Sequence, residues 1–303
     1  MEIAIMVEGQ DGINWQRWER LAKTVEEAGF VGLYRSDHFT NPNPPDHDSL
    51  DAWIALSWLA SHTREIEFGP LVSPVSFRHP VWLARMAGAI DDLSGGRLTL
   101  GVGAGWQIRE HESFGFDLLG ISERFDRLEE GLQVITALLR SEELVSFDGK
   151  YYQLHDAQLL PRPLRRSALP ILIGGNGENR TLPLAAHYAD EWNGVFISAS
   201  RFAELNQRLD ALLAERNRPV ESVRRSLMTG LFFGADDPGL QRKLVARNVT
   251  AEKIRERGMV VGTPSAVQDQ LAELAAAGVQ RIMLNWFDLD DLEGLQALAR
   301  AVL

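Results

Sequence analysis

The chain has no cysteine, which removes disulfides, thiolate metal sites and cysteine nucleophiles together. It also lacks any run approaching the roughly 20 apolar residues that span a bilayer. Its first residues, Met1 to Val7 (MEIAIMV), have neither the basic start nor the long apolar stretch of a signal peptide and read as a strand. The expectation is a cytoplasmic protein with no membrane partner. Basic charge is scarce too: 31 Lys and Arg stand against 42 Asp and Glu, a net charge of −11. That opposes nucleic acid as a partner, because phosphate backbones need clustered cations. The seven histidines form no HExxH and no HxH after the first strand, and no GxSxG elbow is present, so neither a metal site nor a serine hydrolase is expected. At 303 residues with 45% hydrophobic side chains, the chain can close a core without staples, and a small-molecule enzyme is what composition leaves.

What is present is alternation. Strands are expected at 2–7, 31–36, 66–72, 97–103, 170–174, 191–196, 226–233 and 281–287, several of them apolar throughout, as strands covered on both faces must be. Helical spacing lies between them: Trp18, Leu21, Ala22 and Val25 before Gly29; Leu83, Met86, Ala87, Ile90 and Leu93 before Gly95; Phe125, Leu128, Leu132, Ile135 and Leu139 in a helix over 122–140. Thr263-Pro264 reads as a cap with proline at the first helical position, followed by Val267, Leu271 and Leu274 before Gly278. Eight strands joined through helices require parallel pairing, hence an α/β fold, either a closed (β/α)₈ TIM barrel or an open doubly wound sheet. Strand count and chemistry-prone residues after several different strands favour the barrel. One domain over 1–303 is expected, with insertions after strand four (104–169, including a hairpin in which 145–147 meets 151–153) and after strand seven (234–262).

Four stretches could carry chemistry. Gly174-Gly175-Asn176-Gly177 follows a strand and leads toward a helix; it is either a phosphate cradle or a tight turn with no ligand. Ser36-Asp37-His38-Phe39 offers an acid–base pair or only a cap and a surface histidine. Gly69-Pro70-Leu71-Val72-Ser73-Pro74 implies a bulge or cis peptide aimed at a ligand, or an ordinary proline loop. Gly101-Val102-Gly103-Ala104-Gly105-Trp106 lacks the GxGxxG spacing of a dinucleotide site and suits a glycine-lined wall admitting a flat ring. Phe39, Trp106 and Trp286 are candidate apolar walls. Glu110-His111-Glu112 reads as an acidic, solvated helix turn, and Glu178 suits an anion site only if it points outward.

The run from Phe77-Arg78-His79-Pro80 through Leu93-Ser94-Gly95-Gly96-Arg97-Leu98-Thr99-Leu100-Gly101-Val102-Gly103-Ala104-Gly105-Trp106 resembles the luciferase-like monooxygenase superfamily. Ser36–Phe39, Gly120–Arg127, Pro170–Gly177 and Tyr188–Trp192 follow in the same order, so the resemblance covers essentially the whole chain. With its Ser-Asp-His-Phe tetrad the chain is most similar to the branch that uses coenzyme F420, a deazaflavin. The resemblance implies a deazaflavin lying across the C-terminal mouth, pressed by a bulge at Pro70, Leu71, Val72 and Ser73. It further implies Gly103, Ala104, Gly105 and Trp106 beside the ring, and a phosphate on Gly174, Gly175, Asn176 and Gly177. Asp37 and His38 would lie near the reactive atoms, with His38 the acid–base group, and relatives suggest a homodimer. Sugar-phosphate dehydrogenases of this branch carry an acid where this chain has Trp106, which points toward an apolar substrate. The competing readings are an FMN-dependent monooxygenase using reduced flavin and oxygen, a flavin-storing barrel, and a barrel enzyme that uses no flavin.

Overall fold

A computed structural model describes residues 1–165 and 169–303. Its strands are β1 (Glu2–Val7), β2 (Gly32–Arg35), β3 (Glu67–Pro70), β4 (Ser73–Pro74), β5 (Leu100–Gly103), β6 (Val145–Asp148), β7 (Gln153–Ala157), β8 (Ile171–Gly174), β9 (Glu191–Val195), β10 (Arg224–Phe233), β11 (Val260–Gly262) and β12 (Arg281–Trp286). Along the main sheet the order is β3-β2-β1-β12-β10-β9-β8-β5-β4, all parallel. β3 and β4 are two halves of one strand broken at 71–72. The Phe68–Leu98 bridge and the β4–β5 pairing bring that strand beside β5, so the eight expected strands form a barrel. The helices α1 (Trp15–Ala28), α2 (Ala52–His62), α3 (Pro80–Ser94), α4 (Ile108–Phe114), α5 (Ile121–Arg140), α6 (Thr181–Tyr188), α7 (Ala199–Glu215), α8 (Asp237–Ala246), α9 (Ala251–Glu256), α10 (Pro264–Ala276) and α11 (Leu292–Val302) connect them. Among the described residues no helix is long and apolar enough to cross a membrane.

Local signals explain the helix limits. Asn14 accepts from the Arg17 N–H at the start of α1, and Gly29 ends it at φ +88°. His79 and Pro80 open α3, and Gly95 closes it at φ +71°. At α10 Pro264 occupies the first turn, but the Thr263 side chain makes no capping bond, so proline geometry alone marks that start.

Period-two alternation sorts the strand residues into two environments. Outward side chains such as Ile3, Ile5, Leu33, Leu100, Ile173, Ile282 and Trp286 join the large core beneath the helices. Inward ones form a second cluster of Ala4, Met6, Tyr34, Leu71, Leu172, Met228 and Met283 that fills the barrel. At the N-terminal end of the barrel, Arg281 is fully buried: its Nε donates to Glu2 at 2.7 Å, its Nη1 to the Tyr34 hydroxyl at 2.7 Å, and a Glu67 oxygen lies 2.7 Å from Nη2. Burial opposes its charge, but Tyr34, Glu191, Glu67 and Glu2 outweigh that and hold the guanidinium protonated. The lumen is a packed plug, so chemistry is confined to the other end.

Two elements differ from expectation. The hairpin's second strand begins at Gln153, not 151, with Asp148 opposite Gln153 and the Gly149 N–H donating to the Tyr152 carbonyl. β11 extends the sheet beside β10, pairing Leu231 with Val260; three residues amid charge and glycine are too few to display a period.

Candidate active site

Past β2 the chain turns across the mouth and is pinned at each residue. The Ser36 hydroxyl accepts from the Gly9 N–H at 2.8 Å and donates to the Gln10 side chain at 2.7 Å. Asp37 is buried, and its Oδ2 accepts from the Ser73 hydroxyl at 2.6 Å and from Arg78 at 2.5 Å. Trp53 donates to that same Ser73 oxygen at 2.9 Å, and Arg78 also reaches Asp51. Asp37 therefore clamps the loop after β2 to β4, a positioning role, with one oxygen already committed.

His38 points elsewhere. Its Nδ1 lies 2.8 Å from Oε1 of Glu110, and the other Glu110 oxygen accepts the Phe39 N–H at 3.0 Å. Glu110 is 0% exposed. An ionised carboxylate only accepts, so Nδ1 carries the proton and Nε2 is the ring's working nitrogen; among the described residues Nε2 has no hydrogen-bond partner. Burial opposes a charged ring, but the Glu110 hydrogen bond and charge overcome it, and the His38 pKa is raised. Trp106 stands edge-on to the imidazole, centroids 5.6 Å apart.

The expectation of a solvated turn at Glu110-His111-Glu112 is wrong for its first two members. Gln107 donates to the Thr40 carbonyl at 2.8 Å, and His111 lies between the Gln107 carbonyl (2.6 Å) and the Ser76 hydroxyl (2.8 Å). The polar side of α4 thus faces inward onto loop backbone and the His38 ring, while Ile108 and Phe114 are exposed. The charge pattern resembled a wet face because its partners are distant in sequence. A readable trace was the pairing of Gln107 with His111 at i,i+4 beside Phe114 and Phe116.

At 71–72 the backbone break is a cis peptide between Leu71 and Val72. The glycines of β5 admit this bulge. A Cβ on Gly101 would lie 2.0 Å from the Pro70 carbonyl oxygen, and one on Gly103 would lie 2.5 Å from Val72 Cγ2. Val72 remains half-buried, seated between Gly103 and Gly174. Ala104 follows half-buried, and Gly105 turns the chain at φ +81° against Ser76.

Beside it, β8 pairs with β5 (Gly101 with Leu172, Val102 with Ile173), so the two glycine turns emerge side by side. Asn176 bonds both ways to the Val195 backbone, at 2.7 and 2.9 Å, and Trp192 donates to the Gly175 carbonyl at 2.9 Å. α6 begins only at Thr181, with no side-chain cap. Among the described residues no protein acceptor takes the N–H groups of Gly177, Glu178 and Asn179. Glu178 pairs with Arg201 and Arg180 with Asp126. The awkward carboxylate is therefore neutralised, and the three amides belong to exposed residues.

A sequence profile for the luciferase-like monooxygenases matches residues 2–247. The chain belongs to that family. An F420-dependent glucose-6-phosphate dehydrogenase of Intrasporangium calvum is 27% identical, over 90% of this chain and 93% of its own. A 4-hydroxyprotoasukamycin monooxygenase of Streptomyces nodosus subsp. asukaensis is also 27% identical, over 95% and 85%. The solved F420-dependent secondary alcohol dehydrogenase in complex with an F420–acetone adduct superposes with a TM-score of 0.86 at 18% identity, over 100% and 99%, which establishes the shared fold. This luciferase-like chain is accordingly an oxidoreductase.

Within this family barrel one expected wall residue lies elsewhere. Trp286 is buried on the outer side of β12, its indole donating to the Asp288 carbonyl at 2.9 Å; alternation turns its neighbour Asn285 inward instead. Asn285 donates to Glu8 at 3.4 Å, and its Oδ1 is buried without a partner. Glu8 and Asn285 were not anticipated, since a lone acid and amide at strand ends carry no motif. His47 is exposed, and Asp48 accepts from Asn14. Among the described residues no cluster of His, Asp and Glu could hold a metal ion.

Proposed function

We propose that this protein transfers a hydride between coenzyme F420 and a small organic substrate, with His38 moving the accompanying proton. The observation that carries the reading is the buried Glu110–His38 pair, which leaves Nε2 unpartnered on the loop after β2 that Asp37 clamps to β4. The residues fit a flat ring with an anionic tail: unclaimed N–H groups at 177–179 suit a phosphate, and the orphaned Asn285 Oδ1 awaits a donor. When bound, the deazaflavin supplies the two-electron hydride chemistry. The chain's own contributions are positional and protic. Val72 and its glycine backing support one face, Gly174, Gly175, Asn176 and Gly177 hold the tail, and His38 gives or takes the proton at the substrate oxygen. Glu110 keeps His38 in the tautomer that presents Nε2.

FMN-dependent monooxygenation is the second reading, favoured by the monooxygenase relative that spans 95% of this chain. Titration of the purified protein with F420 and with FMN separates the two. F420 binding without oxygen uptake supports hydride transfer; tight FMN binding with oxygen consumption overturns it. A homodimer belongs to the same proposal, supported by exposed Ile54 and Trp82 on α2 and α3, and light scattering tests it.

A further inference from the structure

We infer that Trp106 is the substrate platform and that the substrate is a neutral, planar, apolar molecule of the aromatic or conjugated ketone or alcohol class. The inference rests on His38 being the acid–base group. A single exposed tryptophan is ordinary on a protein surface; this one is placed unusually. Its side chain is 59% exposed, yet it stands edge-on to His38 at 5.6 Å, on the ring whose Nε2 is unpartnered. Among the described residues its indole N–H has no partner. A molecule placed against the indole therefore covers apolar surface within reach of the proton-moving nitrogen, the amphipathic arrangement that suits ring-on-ring packing.

The surroundings narrow the class further. Phe39, Phe77, Phe114 and Phe116 form one connected aromatic group, with centroids 4.8 to 5.4 Å apart, and Phe39 adjoins His38 in the chain. The nearby cations are engaged: Arg78 with Asp37 and Asp51, Arg109 with Asp46. Arg124 donates to the Gly105 carbonyl and, among the described residues, pairs with no carboxylate, so it is the cation against which an anionic substrate is tested. The nearest carboxylate, Glu110, is consumed by His38 and Phe39. Charge recognition is thus poorly provided for beside His38, and apolar contact is well provided for.

The test is calorimetric binding of 1-tetralone, an aromatic ketone, to the protein loaded with whichever of F420 and FMN it binds. Glucose 6-phosphate serves as the anionic comparison. Measured at saturating cofactor, Trp106→Ala should weaken 1-tetralone roughly ten-fold, and Trp106→Phe should retain most of the affinity. Glucose 6-phosphate should bind more weakly than 1-tetralone to the wild type. Four results overturn the inference: no binding of 1-tetralone, unchanged binding in Trp106→Ala, tighter binding of glucose 6-phosphate that is lost in Arg124→Ala, or a fall in molar mass in Trp106→Ala with 1-tetralone affinity intact, which would make Trp106 a self-association contact. If the wild type binds neither cofactor, the underlying reading fails instead, and titration of the cofactor-free protein still reads the role of Trp106.

Discussion

Glu110→Gln isolates the charge of a buried residue while keeping its shape. In the native site both carboxylate oxygens accept, from His38 Nδ1 at 2.8 Å and from the Phe39 N–H at 3.0 Å, with no solvent exposure. A glutamine offers one oxygen for two donors, so its amide nitrogen must face one of them. Losing a charge-assisted buried hydrogen bond costs about 1.5–3 kcal/mol. The effect on His38 has a definite sign. Burial lowers its pKa, while the Glu110 hydrogen bond and charge, with smaller help from Glu8 and Asp37, raise it above the ordinary value, so the variant's His38 should titrate below the wild-type His38. A raised folded-state pKa contributes stability that is fully present below the unfolded pKa and fades as pH rises through the folded one. The wild-type advantage in urea unfolding should therefore be largest below the ordinary histidine pKa of about 6.5 and shrink as pH rises above it. In catalysis, loss of the fixed tautomer should lower kcat by about 10²-fold or more and move the histidine limb of the pH–rate profile to lower pH, with cofactor Kd unchanged. Histidine Cε1 NMR titration and pH–rate profiles read both effects. An unshifted His38 titration in Glu110→Gln would show that the carboxylate does not govern the ring, and the reasoning fails.

Two further substitutions probe the frame. Gly103→Ala places a methyl 2.5 Å from Val72 Cγ2; it should displace the bulge, destabilise the fold by about 1–3 kcal/mol and weaken cofactor binding, and unchanged cofactor affinity would separate the bulge from the ring site. Arg281→Met removes the buried cation shared by Glu2, Glu67 and Glu191 and leaves them the more distant Arg224, 3.8, 3.9 and 3.8 Å away. A loss of about 3 kcal/mol is expected in denaturant unfolding, smaller at acid pH because burial raises the Glu191 pKa and favours its neutral form, and a neutral outcome would contradict the ion-pair plug.

Sequence by itself determined the scaffold, because parallel strands and their crossover helices are written in local period and punctuation. The eight barrel strands fall within a few residues of their expected places, and the Pro70–Ser73 irregularity and the Gly174–Gly177 turn stand where glycine and proline announced them. The adjacency of the two glycine turns also follows from barrel order, since consecutive barrel strands pair. Tertiary structure decided the contacts made across distance. Glu110 meets His38 over 72 residues, so its charge pattern read as solvated when it is buried. Gly101 and Gly103 are small for the sake of a bulge contributed by another strand, a demand invisible along β5 itself. Trp286 went to the outer core and Asn285 to the lumen because a one-residue phase in a strand exchanges its faces, and that phase is set by neighbouring strands rather than by local composition.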